Sequence, residues 1–206
     1  MAYQTLAEFF GVDRVNFTLA DRSKALETTA HLVIDVQRDF VHPKKWGTVQ
    51  SEEIARNIGG LTAKFRQAGI APYWIYYKEK NIFGFEKRAS CAFGGFYKCA
   101  PSRGDVLIGK DRDSAFKGSD INEVLREKGV KNLIVSGFNT SACVAQTVHD
   151  AIDRGYHVCV VEDMTENGND VNHIKASCAL YRFEEKGAIV ADSACVLEYL
   201  KGMTPA

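Results

Sequence analysis

"LIVSGFNTSACVAQTVHDAIDRGYHVCVVED", residues 133 to 163, decides the fold. An apolar, β-branched run ends at Gly137. A helical stretch follows with Val144, Val148 and Ala151 or Ile152 on one face, and then a second apolar run begins at His157. Two buried strands joined through an amphipathic helix form a βαβ unit, which places the strands parallel and the helix on the sheet.

The same grammar extends in both directions. Short runs suited to buried strands occur at "HLVID" (31 to 35), "IAPYWIYY" (70 to 77), "VLIG" (106 to 109), "NLIVSG" (132 to 137), "HVCVVED" (157 to 163) and "AIVADS" (188 to 193). Between them, "SEEIARNIGGLTAKFRQAG" opens on a Ser cap, carries Ile54, Ile58, Leu61 and Phe65 on one stripe, and stops at Gly69. "SDINEVLREKG" (119 to 129) repeats the pattern on a smaller scale. The expected fold is a three-layer α/β architecture, a doubly wound, mostly parallel sheet with helices on both faces. Residues 30–206 form the domain and residues 1–29 an N-terminal extension. A Gly, Lys and aromatic-rich insertion, residues 78 to 104, also falls outside the alternation; long insertions of this kind serve as lids or interfaces.

With 206 residues, 46% of them hydrophobic, the chain is large enough for one well-buried core. Lys plus Arg equal Asp plus Glu at 26 each, so charge favours neither nucleic acid nor an anionic membrane surface as a partner. A small molecule or another protein remains. The N-terminal stretch has no basic start followed by a long apolar run, and a cytoplasmic protein is expected. Six cysteines, at 91, 99, 143, 159, 178 and 195, show no C-x-x-C pair and no zinc-like spacing to His. They are expected as free thiols, with Cys159, Cys178 and Cys195 as core filler. His42, His149 and His173 make no metal-binding pattern, and no Gly-rich phosphate loop follows the first strand. No metal and no cofactor are expected.

Ligands of open parallel sheets bind beyond the carboxyl ends of the strands. Three reactive residues fall there: Asp35 after the first strand, Lys110 after the third, and Cys143 after the fourth. Apolar neighbours on both sides of Asp35 imply burial, and a buried carboxylate needs a cation, for which Lys110 is the candidate. If Thr140 caps the helix, Cys143 lies in its first turn, where free N–H groups and the helix dipole favour a thiolate and can bind an oxyanion.

These residues resemble the isochorismatase-like cysteine hydrolases, a family that includes nicotinamidases, N-carbamoylsarcosine amidase and ureide or biuret hydrolases. "LVIDVQRDF" is similar to the family's opening strand with Asp35, Gln37, Asp39 and Phe40; "GKDRDSAF" to its lysine segment; and the stretch quoted first to its cysteine strand, turn and helix. The resemblance runs from about Ala30 to Leu200. It implies an Asp35, Lys110, Cys143 triad, a cis peptide between Phe138 and Asn139, and an oxyanion hole formed by the N–H groups of Asn139 and Cys143. Phe40, at the family's pocket-wall position, and Trp46, placed to reach the same rim, suggest a substrate pocket with aromatic walls, the alternative for both being core or loop packing; Phe138 and Asn139 are the other expected substrate contacts. The implied activity is hydrolysis of a C–N bond in a small linear amide or ureide through a thioester. Members commonly form homo-oligomers, so a dimer or tetramer is expected. Nicotinamidases share an Asp-x-His metal segment after the second strand; this chain has "YWIYYKEKNIF" there, which argues against that activity and that metal. Hydrolysis of a vinyl ether of the isochorismate type is the alternative reaction, and a non-catalytic scaffold or thiol sensor on the same fold is the third reading.

Overall fold

The computed structural model describes residues 6–11, 19–167 and 182–202. Its elements in chain order are α1 (Leu6–Phe10), α2 (Leu19–Glu27), β1 (Thr29–Ile34), α3 (Arg38–Val41), α4 (Val49–Gln67), β2 (Ala71–Tyr77) and β3 (Val106–Lys110). After these come α5 (Ile121–Glu127), β4 (Asn132–Phe138), α6 (Ala145–Asp153), β5 (His157–Glu166), β6 (Ile189–Ala191) and α7 (Ser193–Gly202). All six predicted strands form. They make one sheet in the order β3-β2-β1-β4-β5-β6, with every pair parallel.

Alternation along the strands builds two cores. Leu32 and Ile34 of β1 enter one and Val33 the other; Leu133 and Val135 part from Ile134 on β4, and Val158 and Val160 from Cys159 and Val161 on β5. A strand covered on both faces is apolar at every position, so these segments read as unbroken runs. Ile54, Ile58, Leu61 and Phe65 of α4, with Val196, Tyr199 and Leu200 of α7, close the first core. Ile121 and Leu125 of α5, with Val144, Val148 and Ala151 at α6, close the second. The described parts of residues 1–29 join the α4 side: Phe9 and Phe10 are buried, and the Phe10 ring stacks on Tyr199 at 5.3 Å.

Helix α4 starts earlier than its Ser-cap reading. Thr48 is the cap, and Ser51 sits three residues in: each side chain accepts the other's backbone N–H, a reciprocal box. The helix ends as read, with Gly69 at φ +90°.

Because the order reverses between β1 and β4, their carboxyl ends flank a crevice. The insertion packs beside it. Gln37 Nε2 donates to the Ala92 carbonyl at 2.8 Å, Arg38 N–H to Gly95 at 2.9 Å, and Tyr97 N–H to Val36 at 3.1 Å. Its far end is pinned by Asp105, which accepts from Arg66 Nε and Nη2 (3.0 and 2.7 Å), Trp74 Nε1 (2.9 Å) and Ser102 N–H (2.8 Å). Asp105→Ala strips all four donors of their acceptor and is expected to cost about 3 kcal/mol in urea unfolding. A loss below about 1 kcal/mol would show that water replaces the carboxylate.

On β1, His31 is fully buried, with Nε2 2.8 Å from Ser136 Oγ and its ring edge-on to Phe65. Burial, aided by the Arg66 charge, lowers its pKa from 6.5 to about 3. The folded state therefore holds a neutral ring while the unfolded chain takes up a proton below pH 6.5. The contribution is complete above that pH and is lost at about 1.4 kcal/mol per unit as pH falls toward 3. Unfolding at pH 5 is expected to need about 2 kcal/mol less than at pH 7, and His31→Gln should flatten that slope.

Candidate active site

Asp35 follows the last residue of β1 with a left-handed backbone, φ +50°, held by its N–H donating to the Ile75 carbonyl at 2.9 Å. Few residues besides glycine adopt this conformation, though Asp tolerates it. It breaks the strand's alternation at the crevice. Lys110 ends β3 and is fully buried. Its Nζ lies 2.7 Å from Asp35 Oδ2, donates to the Arg112 carbonyl at 3.2 Å, and sits 4.2 Å from the centre of the Tyr77 ring. The carboxylate is fully buried, with the Lys110 ammonium and the Cys143 thiol as its polar partners.

Cys143 is carried by a single π-helical turn, Thr140–Val144, ahead of α6. The thiol is 6% exposed and within hydrogen-bonding reach of both Asp35 and Lys110. The structure thus brings together the three residues that the sequence places on one rim. The Phe138–Asn139 peptide is cis, at the position the resemblance implies. Thr140 does not cap the helix: Asn139 holds the cap position, and Thr140 Oγ1 is buried without a partner. The turn instead uses the Ala142 and Val144 N–H groups, both donating to the Asn139 carbonyl at 3.1 Å, and Ser141 N–H, donating to Asn167 Oδ1 at 2.9 Å. Asn167 Nδ2 returns a bond to Ser141 Oγ at 2.7 Å. Thr147 Oγ1 donates to the Cys143 carbonyl at 2.7 Å and accepts Ala115 N–H at 3.0 Å, tying the lysine segment to the cysteine turn.

Burial raises the Asp35 pKa, against the opposing Lys110 charge. Burial alone would lower Lys110, but the Asp35 and Cys143 charges hold it above its ordinary value. Burial and then the Asp35 charge push the Cys143 thiol up, with Lys110 opposing. The arrangement sets the Lys110 ammonium against a carboxyl group whose proton affinity burial increases, beside a thiol that is harder to ionise than usual. This departs from the thiolate expected of a helix start, because burial and a neighbouring carboxylate outweigh the dipole of one turn.

Phe40 packs against Phe93 (5.4 Å, stacked), Trp46 (5.3 Å) and Tyr77 (6.4 Å) at the crevice mouth, where Trp46 stays 60% exposed. Phe93, from the insertion, is a neighbour that sequence reading missed. The Phe138 ring is fully buried in the α4-side core, so we assign it to packing. Cys159 is buried as expected, Cys195 is exposed, and Cys178 and His173 lie outside the described residues. Among the described residues no group of His, Cys, Asp or Glu is placed to hold a metal ion, and no helix is long and apolar enough to cross a membrane. A cavity of about 370 Å³ between α2, α4 and α7, lined by Leu26, Ala68, Leu197 and Leu200 among others, holds none of these reactive groups.

The isochorismatase domain model matches residues 29–195, from the start of β1 into α7. The chain belongs to the isochorismatase family. It is 33% identical over 137 residues to the uncharacterized isochorismatase family protein YddQ of Bacillus subtilis (strain 168), a match covering 66% of this chain and 76% of that protein. It is 26% identical over 198 residues to the ureidoacrylate amidohydrolase RutB of Azorhizobium caulinodans, covering 79% and 86%. In fold it is similar to the crystal structure of a cysteine hydrolase from Pseudomonas syringae pv. phaseolicola 1448A. That match has a TM-score of 0.76 at 20% identity and covers 86% of this chain and 94% of that one.

Proposed function

We propose that this isochorismatase-family protein is a cysteine-dependent amidohydrolase that cleaves the C–N bond of a small linear amide or ureide. The reading rests on one observation: a buried Asp35–Lys110 ion pair in contact with the only cysteine at the β1/β4 crevice among the described residues. Similarity to a ureidoacrylate amidohydrolase supports the substrate class.

Asp35, with a pKa raised by burial, takes the thiol proton as Cys143 attacks the carbonyl carbon. The N–H groups of Asn139 and Cys143 receive the oxyanion. The proton passes to the leaving nitrogen, the C–N bond breaks, and a thioester remains. Asp35 then deprotonates water, which attacks the thioester and releases the acid and the thiol. Lys110 stays an ammonium throughout and offsets the charge that moves between sulfur and carboxylate. Phe40 and Trp46 form the outer wall of the pocket. The chemistry needs no metal or cofactor. Self-association, as a dimer or tetramer, is supported by the exposed apolar tip of the insertion, where Ile82, Phe83 and Phe85 are 93%, 76% and 70% exposed.

A screen of small amides and ureides for released ammonia tests the proposal. Turnover of a ureide at enzymatic rates is the expected result, and inactivity across the series with turnover of a vinyl ether would overturn it.

A further inference from the structure

Lys110 is a charged side chain with no exposure, and its contacts account for its charge only in part. One carboxylate contact, one carbonyl hydrogen bond and the neighbouring Cys143 thiol leave the remaining side of the ammonium against a ring. That ring is Tyr77, with its centre 4.2 Å from Nζ. The pairing is built into the sheet, because Tyr77 and Lys110 are register partners at the carboxyl ends of β2 and β3. Side chains of directly paired residues lie on the same face.

Tyr77 is itself held in place. Its backbone N–H donates to Gln37 Oε1 at 2.7 Å, its carbonyl accepts from Gln37 Nε2 at 3.2 Å, and its hydroxyl donates to the Asp111 carbonyl at 3.2 Å. Gln37 thus acts as one more strand residue, bonding both backbone groups of Tyr77 where the sheet ends. Phe93 packs edge-on against the ring at 5.7 Å. An aromatic face carries negative electrostatic potential and attracts a cation most strongly where water is excluded.

We propose that Tyr77 is a positioning residue for Lys110: its ring face holds the buried ammonium charged and aimed between Asp35 and Cys143. The residue acts through Lys110 and needs no contact with substrate. The consequence is that the ease of forming the Cys143 thiolate depends on an aromatic ring at position 77. This rests on the reading of Lys110 as the support of that thiolate.

The test is alkylation of Cys143 by iodoacetamide from pH 7 to pH 10, followed by mass spectrometry of the peptide that carries it, since Cys91 and Cys195 are exposed and also react. No substrate is needed, so an inactive amide screen and a failure of this inference remain distinguishable. Tyr77→Leu is expected to slow alkylation at pH 8 about ten-fold and to move the profile up by about one pH unit. Tyr77→Phe, which keeps the ring, is expected to restore the rate to within about two-fold. In a Lys110→Met background, Tyr77→Leu should have no further effect. If the Leu variant does not fold, a polyfluorinated phenylalanine at position 77 keeps the ring's size while removing its negative face, and the same slowing is expected. The inference is overturned if the Leu or fluorinated variant alkylates like the parent, if Tyr77→Phe is slowed as much as Tyr77→Leu, or if the slowing persists without Lys110.

Discussion

Cys143→Ala is expected to fold like the parent and to hydrolyse amides and ureides at least about 10⁴-fold more slowly. Removing a nucleophile costs that much or more where it forms the covalent intermediate, because the remaining groups have nothing to activate. Stability should change little. The substitution removes one buried sulfur, while the Asp35–Lys110 pair at 2.7 Å and the bonds of Ser141 and Thr147 to the turn stay in place. The variant also separates the two chemistries open to this family. Vinyl ether hydrolysis needs a proton donor and no sulfur nucleophile, so on that route Cys143→Ala keeps substantial activity and Asp35→Asn does not. Loss of amide turnover in both variants is the outcome that agrees with the proposed mechanism. Retained amide turnover in Cys143→Ala would remove the thioester from it.

The second large effect is expected from Gly137→Ala, at the end of β4. This glycine has φ +121°, and an added Cβ would lie 2.0 Å from the Ile34 carbonyl oxygen and 2.6 Å from the Ile34 nitrogen. Those atoms belong to the paired backbone of β1 and have no flexible side chain to give way. The methyl group would force apart the two strands that carry Asp35 and the cysteine turn. A loss above about 4 kcal/mol, or failure to obtain folded protein, is the expected outcome. Gly155→Ala is the control. Its φ of +83° is also unfavourable for alanine, but nothing lies within 4 Å of the new methyl, so only about 1 kcal/mol should be lost. Similar losses at the two positions would refute the steric account.

The layers and the reactive rim are legible in the sequence because they follow from local period. Consecutive apolar residues in β1 (Leu32, Val33, Ile34), β4 (Leu133, Ile134, Val135) and β5 (Val158, Cys159, Val160, Val161) mark strands covered on both faces. The stripe of Ile54, Ile58, Leu61 and Phe65 marks a helix lying on them. Asp35, Lys110 and Cys143 stand out because each follows such a run. Less legible are the features set by partners far along the chain. Thr48 outranks Ser51 as a cap through backbone geometry, and the left-handed Asp35 is fixed by the Ile75 carbonyl on the neighbouring strand. The protonated state of Cys143 depends on how deeply three groups are buried together, which no spacing encodes. Phe93 and Tyr77 reach the site from an insertion and from a strand end, and nothing in their local sequence distinguishes them from other aromatics.

The insertion is rooted at both ends, by Gln37 on one side and by the Asp105 cluster on the other, and its outermost turn is closed by Asn81 Oδ1 accepting the Phe83 and Phe85 N–H groups. A loop fastened in this way is modular. Its outermost residues, 82–85, can be exchanged for a polar peptide without loosening either root, so that assembly through this apolar tip can be altered separately from the hydrolytic site.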